Sequence, residues 1–379
     1  MIRLEPLDNE RQESARRRAD LQPRGRTLND GRGSRGSEWH GRKVLVTGGA
    51  SFIGSHLVDR LVAEGAAVRV ADDLSSGTLA NLSESIEHVE FLLGDLRDRE
   101  FARGAVADRE VVFHLAAAHG GRGFIDTHPA DCATNLVLDG VVFDEAWKAG
   151  VDRICYASSA CVYPVNLQEK PVDGKTILLR EESADPFVEG AAAADGEYGW
   201  AKLMGEMTLR AYWKQHGLKS VSCRLFTAYG ERENETHAVI ALIAKAFINM
   251  DPYEIWGDGQ QDRNFTYVGD VVEGMLRASQ AIEDASPVNI GTSEHIKIVD
   301  AAQMIFSETG LAPSEIFFDM SKPVGVYSRA ADLTRVRALL GWEPETSFVD
   351  GLRPTIDWYY ANRQRSEVEA GLGLLLSER

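Results

Sequence analysis

Tyr198 and Lys202 stand four residues apart in Glu197-Tyr-Gly-Trp-Ala-Lys-Leu-Met-Gly-Glu206, a stretch that reads as helix, so both side chains share one face. Ser159 closes the apolar run Arg153-Ile-Cys-Tyr-Ala-Ser-Ser159, which reads as a strand. A serine, a tyrosine and a lysine together can take the proton of an alcohol while its carbon gives up a hydride. The tyrosine is the base. A free phenol titrates near 10, so bringing it near 7 takes about 4 kcal/mol of favourable charge interaction. The Lys202 ammonium is one source of it.

Such a set needs a hydride acceptor, and the chain begins with a place for one. Residues 47–57, Thr-Gly-Gly-Ala-Ser-Phe-Ile-Gly-Ser-His-Leu, follow the apolar run Lys43-Val-Leu-Val46 and open a helical pattern with Leu57, Val58, Leu61 and Val62 on one face. A strand, glycine turn and helix in this order cradle the pyrophosphate of a dinucleotide at the helix N-terminus. Gly48 and Gly49 permit the tight turn, and Gly54 permits close packing of helix on strand. The next apolar run, Ala67-Val-Arg-Val-Ala71, ends at Asp72-Asp73. A carboxylate about 20 residues after the glycines accepts from the adenosine ribose and repels a 2′-phosphate, which favours NAD over NADP. Asp72 is the expected residue; Asp73 is a second candidate, and a turn aspartate is the structural alternative. Further strands are expected at Phe91–Leu96 and at Val111–Ala118, where small residues let a cofactor approach the backbone.

The 379 residues suit two domains or one large α/β unit, and 44% hydrophobic content is ample for a core. A net charge of −17 argues against general nucleic-acid binding, although a local basic site for a phosphorylated substrate remains compatible with it. No apolar run is long enough to span a bilayer, and no signal-peptide pattern opens the chain. Cys132, Cys155, Cys161 and Cys223 lack metal-ligand spacing and read as reduced thiols of a cytoplasmic protein; no metal is expected. Residues 1–42, rich in arginine, acids and glycine and poor in apolar residues, read as a disordered extension with a short helix near 9–21.

These motifs together resemble the extended short-chain dehydrogenase/reductase family of NAD-dependent sugar-nucleotide epimerases and dehydratases, over about residues 43–365. The resemblance rests on the glycine turn, Asp72, His114-Leu-Ala-Ala117, Asn135, Ser158-Ser159, Tyr198-x-x-x-Lys202, Arg224, Trp256-Gly-Asp-Gly259, Arg263-Asn-Phe-Thr-Tyr-Val268, Asp270 and Asn289-Ile-Gly291. Within the family, Gly120-Gly-Arg-Gly-Phe-Ile125, Tyr156-Ala-Ser-Ser-Ala-Cys-Val-Tyr-Pro164 and Ile255-Trp-Gly-Asp-Gly259 are most similar to the GDP-mannose 3,5-epimerase branch.

The resemblance implies an α/β fold. A Rossmann-type doubly wound parallel sheet would occupy 43–226. A smaller substrate domain would occupy most of 227–379, with 288–291 returning to the sheet. It implies NAD contacts from Gly48, Ser51, Phe52, Ile53, Gly54, Asp72, Asp95, Leu96, Ala116, Ala117, Tyr198 and Lys202. It implies nucleotide-diphosphate-sugar contacts from Gly121, Arg122, Gly123, Thr227, Arg263 and Arg329, and a homodimer formed through helices near 128–149 and 198–216. Ser51 replaces the family's middle glycine, and Thr227 stands where asparagine is usual.

Dehydratases of the family carry an Asp-Glu pair after the serine. Ala160-Cys161 here disfavours that reaction and matches the 3,5-epimerase pattern, in which a thiol works on the carbons flanking a transient 4-ketone. The family's second acid/base is a lysine; here His237 falls nearest its place. A plain 4-epimerase using Ser159, Tyr198 and Lys202, and a non-catalytic NAD-sensing protein, are the alternatives.

Overall fold

Strands that are apolar on both faces fold as a parallel sheet only when helices cover both sides. The computed structural model describes residues 37–170, 176–188 and 193–377. Among them a parallel sheet of seven strands forms from β1 (Lys43–Thr47), β2 (Ala67–Asp72), β3 (Glu90–Leu93), β4 (Val111–His114), β5 (Arg153–Ser159), β6 (Lys219–Leu225) and β7 (Asp284–Ile290). Their spatial order is β7-β6-β5-β4-β1-β2-β3. Register sets Val44 of β1 against Val68 of β2 on one side and Val111 of β4 on the other. The winding direction reverses at β1 and β4, and the crevice beyond their carboxyl ends is where such sheets bind ligands.

Side chains alternate across the sheet, so each face has its own core. Val44, Val46 and Val70 pack with Leu57, Val58 and Leu61 of α1 (Phe52–Ala63) and with Val271 and Met275, which lie in the later helix Val268–Ala281. Leu45, Val112 and Ile154 face the other way, onto Leu138 and Val142 of α2 (Asn135–Lys148) and Leu209 of α3 (Gly196–His216). Gly217 ends α3 at φ 70°, a left-handed cap that suits glycine.

A third core gathers helices Ala238–Phe247, Ile298–Thr309 and Phe348–Asn362. Beside it a small sheet joins Asp262–Arg263 to Ile296–Lys297 and to Ser328–Ala331.

Two boundaries shift from the sequence reading. The expected extension, 1–42, is too long. Trp39 is buried against Phe113, ring centres 5.5 Å apart, so ordered chain begins before it. Residues 1–36, with the expected helix near 9–21, lie outside the described residues. After residue 226, not only 288–291 but the whole helix Val268–Ala281 and β7 belong to the large sheet, while Leu178–Leu179 pairs with the small one. Among the described residues no helix is long and apolar enough to cross a membrane.

Candidate active site

The glycine turn is built as the sequence requires. Gly48 has φ 67°, and a Cβ there would lie 2.8 Å from the Ala116 nitrogen; one on Gly54 would overlap the Gly48 carbonyl oxygen and lie 2.9 Å from Gly49 Cα. Thr47 Oγ1 accepts from the Leu115 and Ala116 N–H groups, each at 3.1 Å, which ties β1 to the small residues after β4. Asp72 accepts from the N–H of Ala50 at 2.9 Å and of Leu74 at 2.8 Å. Asp73 is exposed and accepts from Ser75 N–H, so it is Asp72 that reaches the turn. Burial raises the Asp72 pKa, and the two N–H groups oppose that rise. Each carboxylate oxygen keeps a lone pair for a ribose hydroxyl. Ser51 folds its hydroxyl back onto the Gly48 carbonyl at 2.5 Å, so the side chain replacing glycine stays within its own turn. These features fit NAD.

A cleft of about 340 Å³ runs from this corner across the strand ends. Ser51, Phe52, Ile53 and Ala117 line it. Gly48, Gly54, Asp72 and Ala116 shape the turn without lining it, and neither Asp95 nor Leu96 faces it. Asp95 is a half-buried partner of Arg97, and Leu96 is buried in the core.

Ser159, Tyr198 and Lys202 meet in the cleft, and the start of α3 explains why. Asp195 N–H donates to the Cys161 carbonyl at 2.8 Å, and Gly199 is pressed so close to that carbonyl that a Cβ would overlap it. The turn after β5, where Ser159 Oγ accepts from the Cys161 N–H at 3.1 Å, and the first turn of α3 are therefore locked together, which brings Ser159 beside Tyr198. Lys202 is 1% exposed, its Nζ 4.7 Å from the Tyr156 ring centre and 6.0 Å from that of Tyr198. Beneath it Tyr156 OH donates to Asp139 Oδ2 at 2.5 Å. Asp139 Oδ1 meets His114 Nε2 at 3.0 Å, and His114 Nδ1 meets Thr47 Oγ1 at 2.7 Å. Burial lowers the Lys202 pKa, with Asp139 opposing. Burial raises the Tyr198 pKa, the nearby Cys161 and Asp139 add to the rise, and Ser159 opposes it.

The far end of the cleft is basic. Arg263 and Arg329 are register partners on adjacent strands. Arg263 donates to the carbonyls of Asp262 at 2.6 Å and Val324 at 3.0 Å; burial and the Arg329 charge push its pKa down to about 9. Arg329 donates to Cys161 Sγ at 3.4 Å, Gln168 Oε1 at 2.5 Å and Asp195 Oδ2 at 3.1 Å. Arg122 donates to Asp195 Oδ1 at 2.8 Å. Burial works against the Asp195 charge, yet Arg329 and Arg122 hold its pKa below the usual carboxylate value. Arg122 and Arg329 flank the buried Asp195 carboxylate and Arg263 stands beside Arg329; guanidinium forks so grouped are chemically suited to paired phosphate oxygens. Gly121 and Thr227 also line the cleft; Gly123 does not, being buried in the short helix Arg122–Thr127.

His237 lines the cleft at the N-cap of helix Ala238–Phe247. Its Nδ1 is 3.2 Å from Glu233 Oε1, and its ring centre is 6.1 Å from that of His119. Sequence reasoning missed His119 and Glu233, both of which line the cleft. His119 is exposed to the open cleft, and the surrounding cleft walls with the nearby Lys202 charge lower its pKa. Glu233 sits in Glu231-Arg-Glu-Asn-Glu235, a charge run that reads as a solvated loop.

Comparison with known proteins agrees with this geometry. The profile of the NAD dependent epimerase/dehydratase family matches residues 44–291. GDP-mannose 3,5-epimerase of Arabidopsis thaliana is 33% identical over 323 residues, covering 83% of this chain and 81% of that protein. The solved UDP-glucose 4-epimerase of Thermotoga maritima with UDP-glucose superposes with TM-score 0.74 at 28% identity, over 84% of this chain and 98% of that one. UDP-glucose 4-epimerase of Thermus thermophilus in complex with NAD gives TM-score 0.72 at 26% identity, over 84% and 99%.

Proposed function

The chain belongs to the NAD dependent epimerase/dehydratase family, and from that premise we propose that it epimerises a nucleotide-diphosphate sugar at carbon 3, carbon 5 or both, through a transient ketone at carbon 4. One observation carries the choice of reaction: Cys161 Sγ lies in the cleft that holds Ser159, Tyr198 and Lys202, with the Arg329 guanidinium 3.4 Å from it.

Bound NAD supplies a reversible hydride acceptor. The residues do the rest. Arg122, Arg263 and Arg329 hold the diphosphate, and Ser159 holds the carbon 4 hydroxyl. Tyr198, as phenolate, takes that hydroxyl's proton, and Lys202 sustains the phenolate charge. The ketone acidifies the neighbouring C–H bonds. Cys161, as thiolate, removes one such proton; a thiol is a usable base when positive charge attends it. A group on the other side returns a proton to the opposite face, and His237 is the sequence-based candidate. Tyr198 then gives its proton back as carbon 4 is reduced.

The same reading includes a homodimer through α2 and α3. Leu136, Val137, Trp200 and Met204 are large apolar side chains left exposed on these two helices, which supports it. Free Cys155 and Cys223, with sulfurs 3.7 Å apart on neighbouring strands, suit a reducing cytoplasm.

Incubation with GDP-, UDP- and dTDP-hexoses in heavy water tests the proposal. Deuterium at carbon 3 or 5 of an inverted sugar is expected. Inversion at carbon 4 without deuterium would replace it with a 4-epimerase. No turnover, with Tyr198→Phe altering only ligand binding, would indicate an NAD-sensing protein.

A further inference from the structure

Two buried glutamates follow each other in the loop after β6 and are treated differently by the fold. Glu235 is 6% exposed, and its Oε1 accepts from Tyr359 OH at 2.6 Å and lies 3.6 Å from Arg363. Glu233 is 3% exposed, lines the cleft, and meets His237 Nδ1 through Oε1 at 3.2 Å. Its Oε2 is buried with no hydrogen-bond partner among the described residues. Arg232 sets this orientation. It adopts φ 69°, and its guanidinium is pinned to Asp59 at 2.7 Å, turning the following residue inward. An ionised carboxylate with one oxygen unpartnered out of water is costly, so such a group tends to hold its proton. No structural pairing explains the buried Oε2, and Glu233 is among the residues that line the cleft.

We infer that Glu233 is the acid that reprotonates the sugar carbon from which Cys161 has taken a proton. The inference rests on the epimerase reading above. In the step, the C–H bond breaks towards the Cys161 thiolate and its electron pair enters the ketone as an enolate. The Glu233 O–H bond then breaks towards the other face of that carbon, leaving a carboxylate beside His237. His237, half-buried at the cleft wall, returns a proton from water to that carboxylate, and the Cys161 thiol releases its own to water. Protons therefore balance over a turnover.

The protein is assayed with bound NAD against the GDP-, UDP- and dTDP-hexose panel in heavy water, as wild type and as Glu233→Gln, which keeps the shape but has no acidic proton. Epimerisation is expected to fall at least 100-fold, within the usual range for a lost general acid. The absorbance change of the bound cofactor on adding sugar should stay within about threefold, because carbon 4 chemistry does not use Glu233. Deuterium should still enter uninverted sugar, since Cys161 can return a proton to the face it came from. A variant that inverts the sugar within threefold of wild type overturns the role of Glu233 and leaves the epimerase reading standing. Wild type that incorporates no deuterium at carbon 3 or 5 overturns both. If Glu233→Gln does not fold, His237→Gln serves: inversion slowed at least tenfold and restored by added imidazole is expected, and unslowed inversion contradicts the relay.

Discussion

Replacing Gly54 by alanine probes the dinucleotide corner with one methyl group. The added Cβ would overlap the Gly48 carbonyl oxygen and lie 2.9 Å from Gly49 Cα and 3.0 Å from Gly48 C. All three are backbone atoms of the turn, so no rotamer change relieves the clash. Overpacking of this kind costs about 1–3 kcal/mol, or roughly 2–10 °C at a few degrees per kcal/mol. The displaced helix N-terminus also withdraws its N–H groups from the pyrophosphate. Wild type heated with NAD at about 100 times its dissociation constant should gain about 2.7 kcal/mol of stability; the variant should gain almost none. Gly140→Ala is the control. Gly140 lies inside α2, and a Cβ there would meet nothing within 4 Å. Alanine should stabilise that site by about 0.4–1 kcal/mol and leave the NAD response intact. Thermal unfolding of both variants with and without NAD reads these effects. A Gly54→Ala protein melting within about 1 °C of wild type, with an undiminished NAD shift, would refute the reasoning.

Arg329→Met removes the guanidinium that joins Asp195 to Cys161; calorimetry should find nucleotide-diphosphate sugars bound roughly 10- to 100-fold more weakly, and unchanged affinity would remove Arg329 from the phosphate cradle. Burial raises the Glu233 pKa, so its contribution to stability is full below the unfolded value near 4.3 and is lost as pH rises through the higher folded value. Between those two values Glu233→Gln should therefore gain stability on wild type as pH rises, and a difference independent of pH in thermal melts would contradict the burial argument. Arg224, 1% exposed, is held by Glu206 through contacts of 3.0 and 2.8 Å, so Glu206→Ala should cost about 3–5 kcal/mol in denaturant unfolding. A loss under about 1 kcal/mol would mean that water replaces the carboxylate.

The parts of the site that were legible in the sequence are those fixed by short-range spacing. Gly48 and Gly54 announce a turn because backbone must approach backbone there, and Tyr198 and Lys202 share a face because a helix repeats every 3.6 residues. Asp72 and Asp73 were inseparable until the turn's geometry placed Ala50 N–H over the first. Trp39 was lost in a polar stretch because one aromatic carries no periodicity; only the fold shows that it packs on Phe113. Glu233 was invisible for a different reason. Charge runs usually face water, and the Arg232 backbone that turns this residue inward has no signature in residue type. The phenol's environment also depends on burial, a property of the assembled cleft that spacing does not encode.

The central claim is that carbon 4 is oxidised and then restored by the same hydride. A nucleotide sugar deuterated at carbon 4, turned over in ordinary water and read by mass spectrometry and proton NMR, tests it most directly. The account predicts an epimerised product that keeps its deuterium at carbon 4 while carbon 3 or 5 exchanges with solvent. Loss of the carbon 4 label to water during epimerisation would contradict it.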